Sequence, residues 1–134
     1  MAELDWTVDP HADAAPSKQL VLRALDALAS GELAAGAQLP SVRQLAARAL
    51  VNHNTAARAY RDLEQLGVVR GQNGLGVFAT EDAPRLAREL RRRSTLDAFR
   101  GAAKDALRAG HPLNGLVTEL SNLASKTASP RKTA

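Results

Sequence analysis

The stretch LPSVRQLAARALVNHNTAARAYRDLEQLG, residues 39–67, contains two short helical patterns joined by a tight bend. The first pattern opens on Ser41 and places Gln44 three residues later, which is the spacing of a capping box. The second opens on Asn52, a residue type that accepts hydrogen bonds from the free N–H groups at the start of a helix. Apolar residues at helical spacing after each start predict two helices that begin at these positions.

A further helix is predicted before this stretch, because leucines and alanines recur at helical spacing over residues 17–30. Gly31 follows at the position where the C-terminal cap of a helix is expected. Residues 33–40 contain a glycine and end in Pro40, and we interpret them as a connecting turn.

A β-hairpin is predicted after the stretch, with strands over residues 68–70 and 77–79. Between them lies Asn73-Gly74, the dipeptide that favours a type I′ turn with positive φ at both central residues. Three helices followed by a hairpin is the order of a winged helix-turn-helix, which we predict for residues 17–80. The fold class is therefore mainly α with a small β-hairpin.

Two more helices are predicted over residues 83–109 and 113–124, with Gly110 between them. Leucine stripes on a short appendage favour a subunit interface, so we interpret residues 83–125 as a two-helix dimerisation segment. The residues predicted to line the inner faces are Leu86, Leu90, Leu96, Phe99, Ala103, Leu107, Leu116, Val117, Leu120 and Leu123.

The two ends of the chain lack a sustained apolar period. Residues 1–16 carry four acids and two prolines, and we predict a flexible acidic arm, although Trp6 and Val8 are apolar enough to pack on the core. Residues 126–134 are polar and basic, and we predict a disordered tail.

The composition of the 134 residues excludes several classes of protein. The absence of cysteine excludes disulfides, thiolate metal sites and a cysteine nucleophile. No apolar run approaches the roughly 20 residues of a membrane-spanning helix. The acidic start lacks the basic and apolar regions of a signal peptide, so we expect a cytoplasmic protein.

The net charge of +4 is unevenly distributed along the chain. Between Glu32 and Asp62 there are four basic residues and no acid, and this interval covers most of the stretch that opens this section. The four are Arg43, Arg48, Arg58 and Arg61. A basic surface of this kind favours a polyanion as partner.

In a helix-turn-helix the second helix crosses the DNA backbone, and the third places its first residues against base edges in the major groove. That role suits short polar side chains at the helix start, with arginines on the flank for phosphate or guanine. We therefore predict double-stranded DNA as the partner. The predicted DNA-binding residues on the two helices are Ser41, Arg43, Asn52, His53, Asn54, Thr55, Arg58 and Arg61.

Residues 17–80 also resemble the GntR family of bacterial transcription regulators, and the short chain after the hairpin resembles its YtrA-type branch. The matching segments are Gly31-Glu32-Leu33, Gly36, Leu39 to Ala46, Val51-Asn52, Asn54-Thr55, Arg58-Ala59-Tyr60, Leu63-Glu64, Leu66-Gly67, Gly74, Gly76 and Phe78. The resemblance implies a homodimer, joined through its C-terminal helices, that represses from a palindromic operator. It also implies that Arg43, the start of the third helix and the wing glycine Gly76 contact DNA.

The chain departs from the family pattern at a few positions. Leu50 stands where a glycine is usual in the bend, and His53 replaces the usual proline or arginine. Leu75 and Val77 make the tip of the wing less polar than is usual. Ala57 lacks a basic side chain that other branches carry.

Other interpretations of the same residues remain. Arg43 and Arg58 suit a solvated helix face paired with Asp62 or Glu64, and His53 suits a merely exposed position. The glycines of the hairpin fit neither the dinucleotide-binding nor the P-loop spacing. Ser41, His53 and Asp62 are the residue types of a catalytic triad, but the chain has no nucleophile elbow, so we expect no enzyme.

No cluster has metal-ligand spacing, so we expect neither metal nor cofactor. The alternative functions are a winged-helix protein-interaction module and a non-specific nucleoid-binding protein. The sequence identifies no effector.

Overall fold

The computed structural model describes residues 4–128, which form five helices and a small sheet. The predicted fold class is confirmed, because the first three helices are followed by a hairpin and two further helices. The elements are α1 (Pro16–Ser30), β1 (Gln38–Leu39), α2 (Val42–Ala49), α3 (His53–Gln65), β2 (Val69–Gln72), β3 (Gly76–Ala79), α4 (Ala83–Arg108) and α5 (Leu113–Ala128).

Leucines and alanines on the inner faces of α1, α2 and α3 form the core. Leu20, Leu28, Leu45 and Leu63 are fully buried, and burial of each contributes about 1.5–3 kcal/mol relative to exposure. α3 packs against both α1 and α2, and two of its four buried residues, Ala56 and Ala59, are small enough to allow close helix packing. The core thus fixes α3 from two sides and leaves its opposite face exposed.

The helix ends form where local signals predict them. The Ser41 hydroxyl accepts a hydrogen bond from the Gln44 N–H at 3.1 Å, and the Gln44 side chain accepts one from the Ser41 N–H at 2.9 Å. Gly31 caps α1 in the left-handed conformation, with φ of 92°. α1 begins one residue earlier than predicted, because Pro16 occupies the first helical position, where its lack of an N–H costs nothing.

The sheet has three antiparallel strands in the order β1-β3-β2, so one strand was missed. β1 lies inside the segment interpreted as a connecting turn and pairs Gln38 with Phe78 and Leu39 with Val77. The type I′ turn is also wrong, because of the two central residues only Gly74 has positive φ, at 76°. The Leu75 N–H donates to the Gln72 carbonyl at 2.9 Å, and glycine alone supplies the left-handed residue.

The N-terminal segment differs from the predicted flexible arm, because residues 4–14 lie against the helical core. Trp6 is only 3% exposed and belongs to the core cluster. Arg23 Nε donates to the Asp5 carbonyl at 2.9 Å. The Gln19 side-chain amide accepts from the Asp9 N–H and donates to the Asp9 carbonyl, both at 2.9 Å. Burial of the indole and these backbone contacts hold the segment on α1.

The chain forms two compact units that divide between Arg93 and Ser94. The boundary lies inside α4 and not before it, because Ala83 and Ala87 are fully buried in the first core. Arg91 Nε also donates to Asp26 Oδ1 at 2.6 Å and links α4 to α1. The first part of α4 therefore completes the winged-helix unit.

The second unit contains the rest of α4 and α5. Several leucines predicted to face inward are exposed in the single subunit, as are Phe99 and Val117. Residues 126–128 continue α5 and are not part of a disordered tail, while the predicted tail over residues 129–134 lies outside the described residues. No helix within residues 4–128 is long and apolar enough to cross a membrane.

Leu50 ends α2 in the left-handed conformation, with φ of 58° and ψ of 45°. It is the one residue other than glycine with positive φ among the described residues. The left-handed conformation costs a side chain with a Cβ about 1–2 kcal/mol. Leu50 is also 90% exposed, so no packing of its side chain offsets this cost.

We predict that Leu50→Gly raises the free energy of unfolding by roughly 0.5–1 kcal/mol, because relief of the left-handed strain exceeds the entropic cost of glycine. Urea unfolding monitored by circular dichroism measures the change. Leu50→Ala is the matched control: it removes the exposed side chain but keeps the Cβ, so it should give no gain. Equal stability of the two variants would show that the bend is not strained.

Candidate nucleic-acid interface

The start of α2 presents Arg43 at the second helical position, next to the capped first turn. Ser41 uses its hydroxyl and its N–H in the capping box, so its side chain orders the helix start. Both residues are exposed. Any contact of Ser41 with DNA would therefore use atoms that are not engaged in the cap.

The start of α3 carries the polar tetrad that the sequence singles out. Asn52 is the N-cap, and its Oδ1 accepts a hydrogen bond from the Thr55 N–H at 2.9 Å. His53 and Asn54 occupy the first two helical positions and are exposed, while Thr55 is half-buried. The first-turn N–H groups of His53 and Asn54 remain available, and the helix dipole makes this end electropositive.

The exposed face of α3 continues from this tip. Asn54, Arg58 and Arg61 follow at i, i+4 and i+7, so they share one face of the helix. Arg61 also lines a groove with Val42 of α2 and Val77 of β3. The groove brings the start of α2, the exposed face of α3 and the wing to one surface.

The arginines of this surface are not neutralised by acids. Within residues 4–128, neither Arg43, Arg58 nor Arg61 forms an ion pair with a carboxylate. The alternative of pairing with Asp62 or Glu64 is therefore not realised in the single subunit. The three arginines thus remain available to an external anion, although Glu64 lines the same groove as Arg61.

The wing carries Gly76 in the left-handed region, with φ of 115°. This backbone conformation favours glycine, and a Cβ here would also lie 2.7 Å from Gln38 Nε2, which would have to move aside. Gly76 is half-buried, and the exposed cation of the wing is Arg70 on β2, which sequence reasoning missed. Its position opposite Phe78 depends on strand register, which composition does not reveal.

The N-terminal segment is a second neighbour that sequence reasoning missed. Thr7, Val8 and Pro10 line a groove together with Asn52 and Thr55, at the start of α3. The segment thus borders the tip of the helix predicted to enter DNA. Its only sequence signal is the pair of apolar residues Trp6 and Val8 in an otherwise acidic stretch.

Tyr60 ties the two helices of the interface together. Its hydroxyl donates to the Pro40 carbonyl at 2.5 Å, immediately before the Ser41 cap of α2. The ring is buried among the core residues. Burial raises the pKa of Tyr60 well above its ordinary value, so the phenol stays protonated and continues to donate.

We predict that the stability contributed by Tyr60 is full below pH 10, the ordinary pKa, and falls at higher pH. As the pH rises, the phenol of the unfolded chain ionises at a lower pH than the phenol of the folded protein. This difference favours the unfolded state. Tyr60→Phe should lower the free energy of unfolding by about 1 kcal/mol near neutral pH. The variant should also lack the part of the decline in the free energy of unfolding above pH 10 that the Tyr60 phenol causes.

Tyr60 is the only tyrosine in the chain, so phenolate absorbance titrates this residue alone. Urea unfolding of the parent and of Tyr60→Phe at neutral and alkaline pH gives the stability difference. Ionisation of the folded protein at the ordinary tyrosine pKa would contradict the buried hydrogen bond.

No group of three or more histidine or acidic side chains arranged to hold a metal is present among the described residues. The Ser41 hydroxyl accepts a hydrogen bond from the Gln44 N–H in the helix cap. The chemistry offered by this surface is hydrogen bonding and charge.

The sequence profile described as "Bacterial regulatory proteins, gntR family" matches residues 16–79. The HTH-type transcriptional regulator Rv1152 of Mycobacterium tuberculosis is 38% identical over 81 residues, which cover 60% of this chain and 67% of that protein. The chain belongs to the GntR family. Its residues 16–79 are the winged-helix DNA-binding domain of that family.

Two Bacillus subtilis proteins of this type are also similar to the chain. The HTH-type transcriptional regulator YhcF is 38% identical over 79 residues, or 59% of this chain and 64% of YhcF. The HTH-type transcriptional repressor YtrA is 32% identical over 76 residues, or 57% of this chain and 58% of YtrA. The chain therefore spans less than two thirds of the length of either relative.

Solved structures share the fold of this GntR-family chain. A GntR family transcriptional regulator from Listeria monocytogenes gives a TM-score of 0.71 at 25% identity, covering 82% of this chain and 96% of that one. BusR of S. agalactiae, solved in complex with its busAB-promotor DNA, gives a TM-score of 0.55 at 17% identity, covering 90% of this chain and 60% of BusR. The second likeness concerns the fold alone.

Proposed function

We propose that the chain is a sequence-specific repressor that binds a palindromic operator as a homodimer. The observation that carries the proposal is the face of α3, on which Asn54, Arg58 and Arg61 are exposed in line beyond an open helix start and the arginines are free of carboxylate partners. A surface of this composition is complementary to the major groove of DNA.

Each subunit places the start of α3 in one major groove. Arg58 and Asn54 face the base edges, where arginine pairs with guanine and asparagine with adenine in bidentate geometry. Arg43 reaches the same groove from the start of α2, and Arg61 lies further along α3 beside the wing. His53 and Thr55 add short polar contacts, and the first-turn N–H groups bind phosphate.

A second subunit is expected because the second unit leaves an apolar stripe uncovered. Leu113, Val117 and Leu120 recur at i, i+4 and i+7 on α5 and are exposed in the single subunit, as is Leu123. Stripes of this kind are buried in symmetric subunit contacts. Two copies would place two recognition helices on half-sites about 34–36 Å apart.

Repression follows from occupancy of a promoter, which excludes polymerase. The proposal is supported by the similarity to YtrA, which is named as a transcriptional repressor. Since the target is genomic DNA, the proposal also places the protein in the cytoplasm.

We predict that Arg43→Ala and Arg58→Ala each weaken operator binding by roughly 1–3 kcal/mol and relax the base preference at one position. Fluorescence anisotropy against duplexes selected from random DNA by the full chain, over a salt series, measures both effects. Lys104→Ala removes the same charge from an exposed position on α4, and it should change neither the affinity for the operator nor the base preference. Parent-like affinity and preference in both arginine variants would remove them from the site.

The same anisotropy measurement separates the alternative functions. A non-specific nucleoid-binding protein would bind selected and scrambled duplexes equally, with a strong salt dependence. A winged-helix protein-interaction module would bind neither duplex with useful affinity. Either outcome would overturn the proposed function.

We predict that Leu120→Asp converts the dimer to a monomer and weakens binding to a two-half-site duplex more than tenfold, because the carboxylate would be buried in the contact. Sedimentation equilibrium reports the assembly. Asn122→Asp adds the same charge about 180° away around α5 and should leave the dimer intact. A parent protein that stays monomeric at every concentration would contradict the homodimer.

A further inference from the structure

An ion pair lies at the point where α4 leaves the core of the first unit. Ala83 and Ala87 are fully buried and hold the first turns of α4 in that core. Arg91 follows on α4, and its Nε donates to Asp26 Oδ1 at 2.6 Å. The next residues of the helix, 92–102, are all exposed.

Apolar packing alone defines the tilt of α4 weakly. The two fully buried side chains are alanines, and the leucines that pack beside them, Leu86 and Leu90, are only partly buried. Burial of apolar surface has no preferred direction, whereas a charge-assisted hydrogen bond has a preferred distance and angle. The Arg91–Asp26 pair therefore adds a directional constraint to this packing.

The pair also connects α4 with the helix predicted to enter DNA. Asp26 lies on α1, and α1 packs against α3, which carries Asn54 and Arg58. The chain passes from the first unit to the second inside α4, and the second unit carries the proposed contact between subunits. The direction of α4 at the core thus bears on the separation of the two α3 helices in a homodimer.

A small tilt of α4 is large on the scale of DNA. The helix continues beyond Arg91 to Arg108, a length of about 25 Å at ~1.5 Å per residue. At the far end of such a helix, a tilt of about 10° gives a displacement of about 4 Å, which exceeds the ~3.4 Å between successive base pairs. One base pair more also turns the second half-site by about 35° around the DNA axis.

We propose that the Arg91–Asp26 ion pair determines which spacing between half-sites the homodimer accepts. The inference rests on the proposed function and names two positioning residues for it, neither of which contacts DNA. With the pair formed, α4 leaves the core in one direction, and the two α3 helices match one spacing. Without the pair, α4 adopts a range of directions, and operators with shorter or longer spacers are bound as well.

The test measures binding of the full chain to duplexes that carry two half-sites selected from random DNA. The spacer between the half-sites is shortened or lengthened by one base pair from the selected length. The parent should bind the altered duplexes more than about tenfold more weakly, because they prevent simultaneous contact of both subunits. Asp26→Ala and Arg91→Ala should each reduce this ratio to about threefold or less, and each should bind a single half-site as the parent does.

The two alanine variants change the net charge in opposite directions. A broader range of spacings that both variants share therefore cannot arise from general attraction to phosphate. Arg91→Lys keeps a cation that can pair with Asp26 and should retain the ratio of the parent. Glu89→Ala is the matched control, because it removes an exposed ion pair that lies within α4, and it should also retain the ratio.

Three results would overturn the role of the pair and leave the proposed function standing. They are a parent-like ratio in either alanine variant, an equal broadening in Glu89→Ala, and a parent that prefers two half-sites over one but accepts every spacing. A parent that binds two half-sites no more tightly than one would overturn the proposed homodimer on a palindromic operator.

Discussion

The hydrogen bond from Tyr60 to the Pro40 carbonyl joins the two helices on which the candidate interface is built. It originates on the buried face of α3 and ends at the residue that precedes the cap of α2. The position of Arg43 relative to the exposed face of α3 therefore depends on a contact inside the core. Burial keeps the phenol protonated, so the contact stays a donor–acceptor pair across the physiological pH range.

Around this contact the molecule separates two kinds of surface. The first unit buries alanines and leucines and exposes arginines, short polar groups and the open end of α3. The second unit exposes a larger set of apolar side chains, among them Leu113, Val117 and Leu120 on one face of α5. In the proposed repressor, the first surface binds nucleic acid and the second binds another subunit. Neither function requires a cavity, and the conclusion rests on exposed faces of helices.

The helix starts were predictable from sequence because capping is local. Ser41 with Gln44, and Asn52 with Thr55, lie within one turn, and the side-chain types alone imply the hydrogen bonds. β1 was not predictable, because two residues paired with a strand about 40 positions later have no local pattern. The docking of Trp6 and the Tyr60 bond likewise depend on which distant backbone a side chain meets. The starts of the two helices were thus predictable from their residue types, but the distant contacts that position the helices were not.

The burial of Trp6 gives the chain an internal optical reporter. The indole is the only one in the protein, and its segment also borders the start of α3. Its emission should shift to longer wavelength whenever the segment leaves the core and the ring enters water. An event at the start of α3 that displaces the N-terminal segment can therefore be followed in the unlabelled protein, in real time and without a substituted dye.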